Sequence, residues 1–181
     1  EPAAGSVAVP TEEAIPAADY VDPFIFTGAA AAMASDGNFE PRAFPNPALY
    51  ADALALLDRA LKLDSPLAQG LAARLVCAFA GIALVWVVWR AARTTLSPAA
   101  ALLAAALAAV SIELVTLSRY PMTDILLALF MFSGMAVFIG ENENAERPLL
   151  AGLCLGLAVA TKWTGLYLGL FFVLATALRI A

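Results

Sequence analysis

The chain contains no histidine. That absence removes the commonest general base and transition-metal ligand, and with it the usual axial ligand of haem. Cysteine is nearly absent too. Cys77 and Cys154 each lie inside an apolar run, and neither belongs to a C-x-x-C pair. A thiolate metal centre or a dithiol redox pair is therefore not expected, and both read as small core residues. Charge is scarce, at 14% of residues, where soluble domains carry about 25%. The balance is acidic, fifteen acids against ten bases, so the basic footprint of a nucleic-acid binder is missing. The chain opens Glu1-Pro2-Ala3-Ala4, with neither the basic n-region nor the apolar stretch of a signal peptide.

What is present is apolar: 62% of residues are hydrophobic. The charges that do occur are segregated. Residues 1–69 hold ten acids and three bases, a net charge of −7. The reading is an all-α integral membrane protein with about five transmembrane helices. Residues 1–20 form an extended acidic tail. Residues 21–69 form an extracytoplasmic loop with amphipathic helices, and residues 70–181 form a transmembrane bundle.

Helix signals fill in this outline. Asp22-Pro23 reads as a cap with proline in the first turn, opening a helix that Ser35-Asp36-Gly37-Asn38 ends. Asn46-Pro47 opens a second helix, with Leu49, Ala53, Leu56, Leu57, Ala60 and Leu61 on one face and Asp52, Asp58, Arg59 and Lys62 on the other. It is too polar to span and is expected to lie along the membrane interface. Leu71–Trp89 is the first span. Trp86, Trp89, Arg90 and Arg93 mark its cytoplasmic end by the positive-inside rule, which places the acidic first third outside. Pro98–Leu117 returns outward and Asp124–Gly140 goes in again. The stretch 149–180 is too long for one span. A lysine at the bilayer centre costs several kcal/mol on insertion scales, so two short helices meeting at Lys162 on the outer side are expected.

On this topology the ionisable residues gather at one face. Ser118-Arg119-Tyr120-Pro121-Met122-Thr123-Asp124 connects two apolar runs with more charge than a turn requires, and intramembrane or membrane-edge charge marks functional sites. An interfacial anchor is the plainer reading of Arg119 and Tyr120. Glu113 sits near the outer end of the second span. Unpaired there it would be costly, so it is expected to face the bundle interior or a wet cavity, or to be protonated, with Arg74 or Arg119 as partners within reach. A transporter pathway fits less well, because pathway residues belong near the midplane.

Three segments carry a resemblance. The first is Asp22-Pro23-Phe24-Ile25-Phe26 with Gly37-Asn38-Phe39-Glu40-Pro41 and Phe44-Pro45-Asn46-Pro47-Ala48-Leu49-Tyr50. The second is Ser118-Arg119-Tyr120 through Thr123-Asp124. The third is Gly152-Leu153 with Gly156-Leu157-Ala158-Val159-Ala160-Thr161-Lys162-Trp163-Thr164-Gly165. In this order they resemble the bacterial GT-C membrane glycosyltransferases, the protein-mannosyltransferase and aminoarabinose-transferase relatives. The resemblance implies transfer of a sugar from a polyprenyl-phosphate donor to an extracytoplasmic acceptor at a bacterial inner membrane, with the N-terminal third periplasmic. It places Asp22 at the acidic motif that holds the general base and Asp124 in the acceptor and donor site. Arg119 and Lys162 would then face the lipid phosphate, and Glu113 and Tyr120 stay as further candidates.

The chain departs from the pattern at Val21, where the first of two acids belongs. No metal centre of protein ligands is expected. Asp22 and Asp124 would hold a divalent metal only with water or phosphate completing the site. A chain of 181 residues is expected to be part of a larger enzyme or a shortened, catalytically inactive relative. In the second case it would be an accessory structural subunit of a larger membrane assembly, such as a photosynthetic or respiratory complex, with other membrane subunits as partners.

Overall fold

The computed structural model describes residues 23–37, 47–63, 65–139 and 146–180. Among these residues it is entirely helical, with α1 (Pro23–Asp36), α2 (Leu49–Leu61), α3 (Pro66–Thr95), α4 (Pro98–Val110), α5 (Ile112–Arg119), α6 (Asp124–Ile139), α7 (Glu146–Thr161) and α8 (Leu166–Ile180). A 3₁₀ turn at Trp163–Gly165 separates the last two.

Proline and serine set the helix starts. Pro23 opens α1, where its missing N–H costs nothing. Gly37, at φ +66°, closes it by donating to the Met33 carbonyl. The Ser65 hydroxyl accepts from Ala68 N and caps α3, with Pro66 behind it. Ser97 and Pro98 repeat the device at α4. At the far end of α3 the Arg93 guanidinium lies 5.7 Å from the centre of the Trp89 ring.

α3 runs further than the sequence suggests, 30 residues, and it is the one described helix long and apolar enough alone to cross a membrane. Its Leu75, Phe79, Ile82 and Trp86 are each more than half exposed. The core helix of a water-soluble protein would bury such residues, and an exposed apolar surface of this kind marks an interface with a membrane or with another protein. The return stretch is not one straight span. α4 and α5 meet at Ser111 at 54°, and together they qualify as a bent second span. α6, α7 and α8 are apolar but 15–16 residues long, about 24 Å against a hydrocarbon core of roughly 30 Å. The expected five spans are thus met only in part, with one or two helices of spanning length.

The core lies where α1 and α2 meet α3 and the start of α6. Ala30 and Met33 of α1, Tyr50 and Leu54 of α2, Cys77 and Leu84 of α3 and Ile125 of α6 are buried together there. α6 packs along α7 and α3, and Phe138 stacks on Phe172 of α8 at 4.7 Å. Gly165 lies so close to the backbone of Ala158 and Val159 that a Cβ would collide with it. The chain folds back on α7 at this point because residue 165 has no side chain.

In α2 the sequence reading fails at Asp58, which it placed on the polar face and which the structure buries. The buried face is Tyr50, Ala51, Leu54, Ala55 and Asp58. The apolar stripe read from the sequence points away from the protein, with Leu56 58% and Leu61 59% exposed. An amphipathic pattern tells which two faces differ, and the surroundings decide which faces inward. Exposed leucines on one helix face mark a surface that meets lipid or another protein.

Candidate functional site

The start of α6 and the end of α7 build the site. α5 ends at Arg119, and the turn through Tyr120 and Pro121 brings the chain round, with Met122 N donating to the Tyr120 carbonyl. Thr123, 3% exposed, anchors the turn beneath Asp124, which occupies the first turn of α6. A carboxylate there benefits from the free N–H groups of the helix start.

Lys162 approaches from the other side. α7 stops at Thr161, whose buried hydroxyl donates to the Leu157 carbonyl at 2.7 Å. Lys162 then adopts an extended backbone, φ −158° and ψ 141°, and its N–H closes α7 on the Ala158 carbonyl. The break lets the side chain leave the helix axis. Its Nζ lies 2.7 Å from Asp124 Oδ1, with 29% of the lysine side chain and 37% of the aspartate side chain exposed. The pair is a charge-assisted hydrogen bond. It is half-sheltered, and both partners keep atoms open to a third group.

The structure places five of the six predicted site residues. Asp124 and Lys162 are brought together. Arg119 is exposed at the end of α5 and makes no ion pair among the described residues. Tyr120, 48% exposed, lines a groove against α1 and α3 rather than the ion pair. Glu113 corrects its expectation. It is exposed in the first turn of α5, just past the bend at Ser111, and pairs with neither Arg74 nor Arg119. The bend gives that helix its own N-terminus, where a carboxylate is favoured without a cationic partner. Asp22 lies outside the described residues. Among the described residues no group of three or more potential ligands gathers around a metal position.

Two features escaped sequence reasoning. Tyr50 Oη lies 3.4 Å from Cys77 Sγ, and the thiol donates to the Met122 carbonyl at 3.5 Å. This relay ties α2 through α3 to the turn before Asp124. Burial, with Cys77 beside it, pushes the Tyr50 phenol far above its ordinary range, so it stays neutral. The spacing of Tyr50, Leu54 and Asp58 along one face was the available signal. Asp58 itself is 4% exposed, with Oδ1 unpartnered among the described residues, and burial raises its carboxyl above the ordinary value.

A model of the dolichyl-phosphate-mannose-protein mannosyltransferase family matches residues 59–181. No curated protein and no solved structure matches the chain. The match takes in more than half of the sequence, including Arg119, Asp124 and Lys162, and the chain belongs to this family.

Proposed function

We propose that this glycosyltransferase-like membrane protein forms part of an enzyme that moves a sugar from a polyprenyl-phosphate donor to an acceptor outside the cytoplasm. The Lys162–Asp124 pair carries the reading. It joins a cation and a carboxylate from segments 38 residues apart, at the ends of two apolar helices.

The chemistry follows from the charges. An acceptor hydroxyl attacks the anomeric carbon of the donor sugar, and the bond from that carbon to the phosphate oxygen breaks. The lipid phosphate leaves with the electron pair, and fixed positive charge stabilises it as negative charge develops. Lys162 supplies that charge, with Arg119 on the same face. The acceptor proton passes to a carboxylate within hydrogen-bond reach. Asp22 takes this role in the reading, while Asp124 holds Lys162 in place and helps shape the acceptor site.

The reading carries a topology with it. α3 and the bent α4–α5 pair cross the membrane, and α6, α7 and α8 complete about five passages as short helices. α2 lies on the outer interface with its leucines in the lipid, and the N-terminal third is periplasmic at a bacterial inner membrane.

The test is sugar transfer by the full-length protein in membranes. Asp124→Asn and Lys162→Ala should each lower transfer by roughly a hundredfold or more, the scale of losing a charge-stabilising contact. Normal transfer by both variants would sink the proposal. Inactivity of the wild-type protein, with stable co-purification of other membrane subunits, would favour a structural subunit instead.

A further inference from the structure

We infer that a groove between α1, the outer end of α3 and the Tyr120–Pro121 turn is a binding site for an anionic glycerophospholipid, with Arg74 as the residue that holds its phosphate. The groove has a volume of about 490 Å³. Gly28, Ala31 and Gly70 leave the space open on its α1 and α3 walls.

Arg74 is the single charged residue among those that line the groove. It lies about two turns into the membrane-spanning helix α3 and is exposed. It makes no ion pair among the described residues. A guanidinium in a lipid-facing helix is costly unless an anion or water meets it. Its planar fork matches a phosphate bidentately.

The rest of the groove suits an amphiphile. Gln69 is already committed, its Nε2 donating to the Leu63 carbonyl at 2.9 Å. Tyr120 is half exposed and offers a hydroxyl beside the head position. Leu67 and Leu71, 74% and 51% exposed, continue from the groove onto the lipid-facing side of α3, where acyl chains would lie. Neither Asp124 nor Lys162 lines the groove, so this site is separate from the ion pair and does not depend on the transfer reaction.

Native mass spectrometry of the full-length protein from nanodiscs tests this. Discs of phosphatidylglycerol mixed with phosphatidylcholine should yield one retained phosphatidylglycerol. Arg74→Gln should weaken retention roughly tenfold or more, the worth of a hydrogen bond to a charged group. Arg74→Lys, which keeps the charge and loses the fork, should fall between the two. Circular dichroism and a thermal midpoint show that the variants fold, and Tyr120→Phe gives a second, milder loss if Arg74→Gln does not fold. Equal retention by wild type and Arg74→Gln overturns the inference, as does equal retention of phosphatidylcholine. Displacement of phosphatidylglycerol at Arg74 by added polyprenyl phosphate also overturns it, and would make the groove a donor path.

Discussion

Tyr50 and Cys77 meet in a buried hydrogen bond of 3.4 Å, and Cys77 passes the contact on to the Met122 carbonyl at 3.5 Å. The two bonds connect α2 with the turn that leads into Asp124, by way of α3. Tyr50→Phe keeps the ring in its packing and deletes the hydroxyl. The expected cost is about 1 kcal/mol of stability, the usual worth of one such bond. It should be read as a lowered thermal midpoint in detergent. Cys77→Ala should cost as much or more, since it removes both bonds and leaves a small void. If Tyr50→Phe in a Cys77→Ala background costs as much as in the wild type, the two residues are not coupled.

The Lys162–Asp124 pair should contribute little to folding. Both side chains are about a third exposed, and pairs open to solvent are worth roughly 0–1 kcal/mol. A double-mutant cycle with Lys162→Met and Asp124→Asn, read by thermal unfolding, should give a coupling within that range. A pair with so small a structural return, built from two segments distant in the chain, is better explained by what a third group does there. A coupling of several kcal/mol would turn the pair into a structural lock and remove this argument for a functional site.

Some of this arrangement could be read from the sequence, for identifiable reasons. Pro23 marks the start of α1 because proline fixes the first turn of a helix. The break at Lys162 follows from the cost of placing an ammonium mid-membrane. Both are local arguments. The meeting of Lys162 with Asp124 is not local, since nothing in either segment names its partner. The bend at Ser111 is hidden because serine inside an apolar run does not announce a kink. In α2 the leucine stripe that holds Leu56 and Leu61 is legible from its period, but the burial of Asp58 is not, because the helices packed against that face, α1 and α3, lie elsewhere in the chain.

Asp58 should make stability depend on pH. Burial raises its carboxyl above the ordinary value of 3.8 in the folded chain. The folded protein then binds the proton more tightly than the unfolded chain. The stability that this proton confers is fully present below the ordinary value and is lost as pH rises through the folded one. Asp52 is shifted in the same direction by the same cause. Asp58→Asn removes the charge that must otherwise be buried with one oxygen unpartnered. The variant should therefore match the wild type in thermal midpoint near pH 4 and exceed it near pH 7, both roughly placed. A variant less stable than wild type at both values would mean that the carboxylate is needed as an acceptor.

The outward face of α2 provides the sharpest test of where the membrane lies. Leu56 is 58% exposed on a helix whose opposite face is buried against α1 and α3. Arg59, also exposed, sits almost a turn further along and toward the edge of that face. An amphipathic helix at an interface sinks its apolar stripe about 5–10 Å into the boundary between headgroups and acyl chains and keeps its cations at headgroup level. A fluorophore attached at Leu56→Cys should be quenched strongly by lipids brominated high on the acyl chain and weakly by an aqueous quencher. The same fluorophore at Arg59→Cys should show the reverse balance. The two positions share one helix and one fold, so a difference between them reports immersion and not unfolding. Equal aqueous quenching at both would place α2 in water. The exposed leucines would then be a contact surface for another protein, and the interfacial reading of the first third of the chain would fall with it.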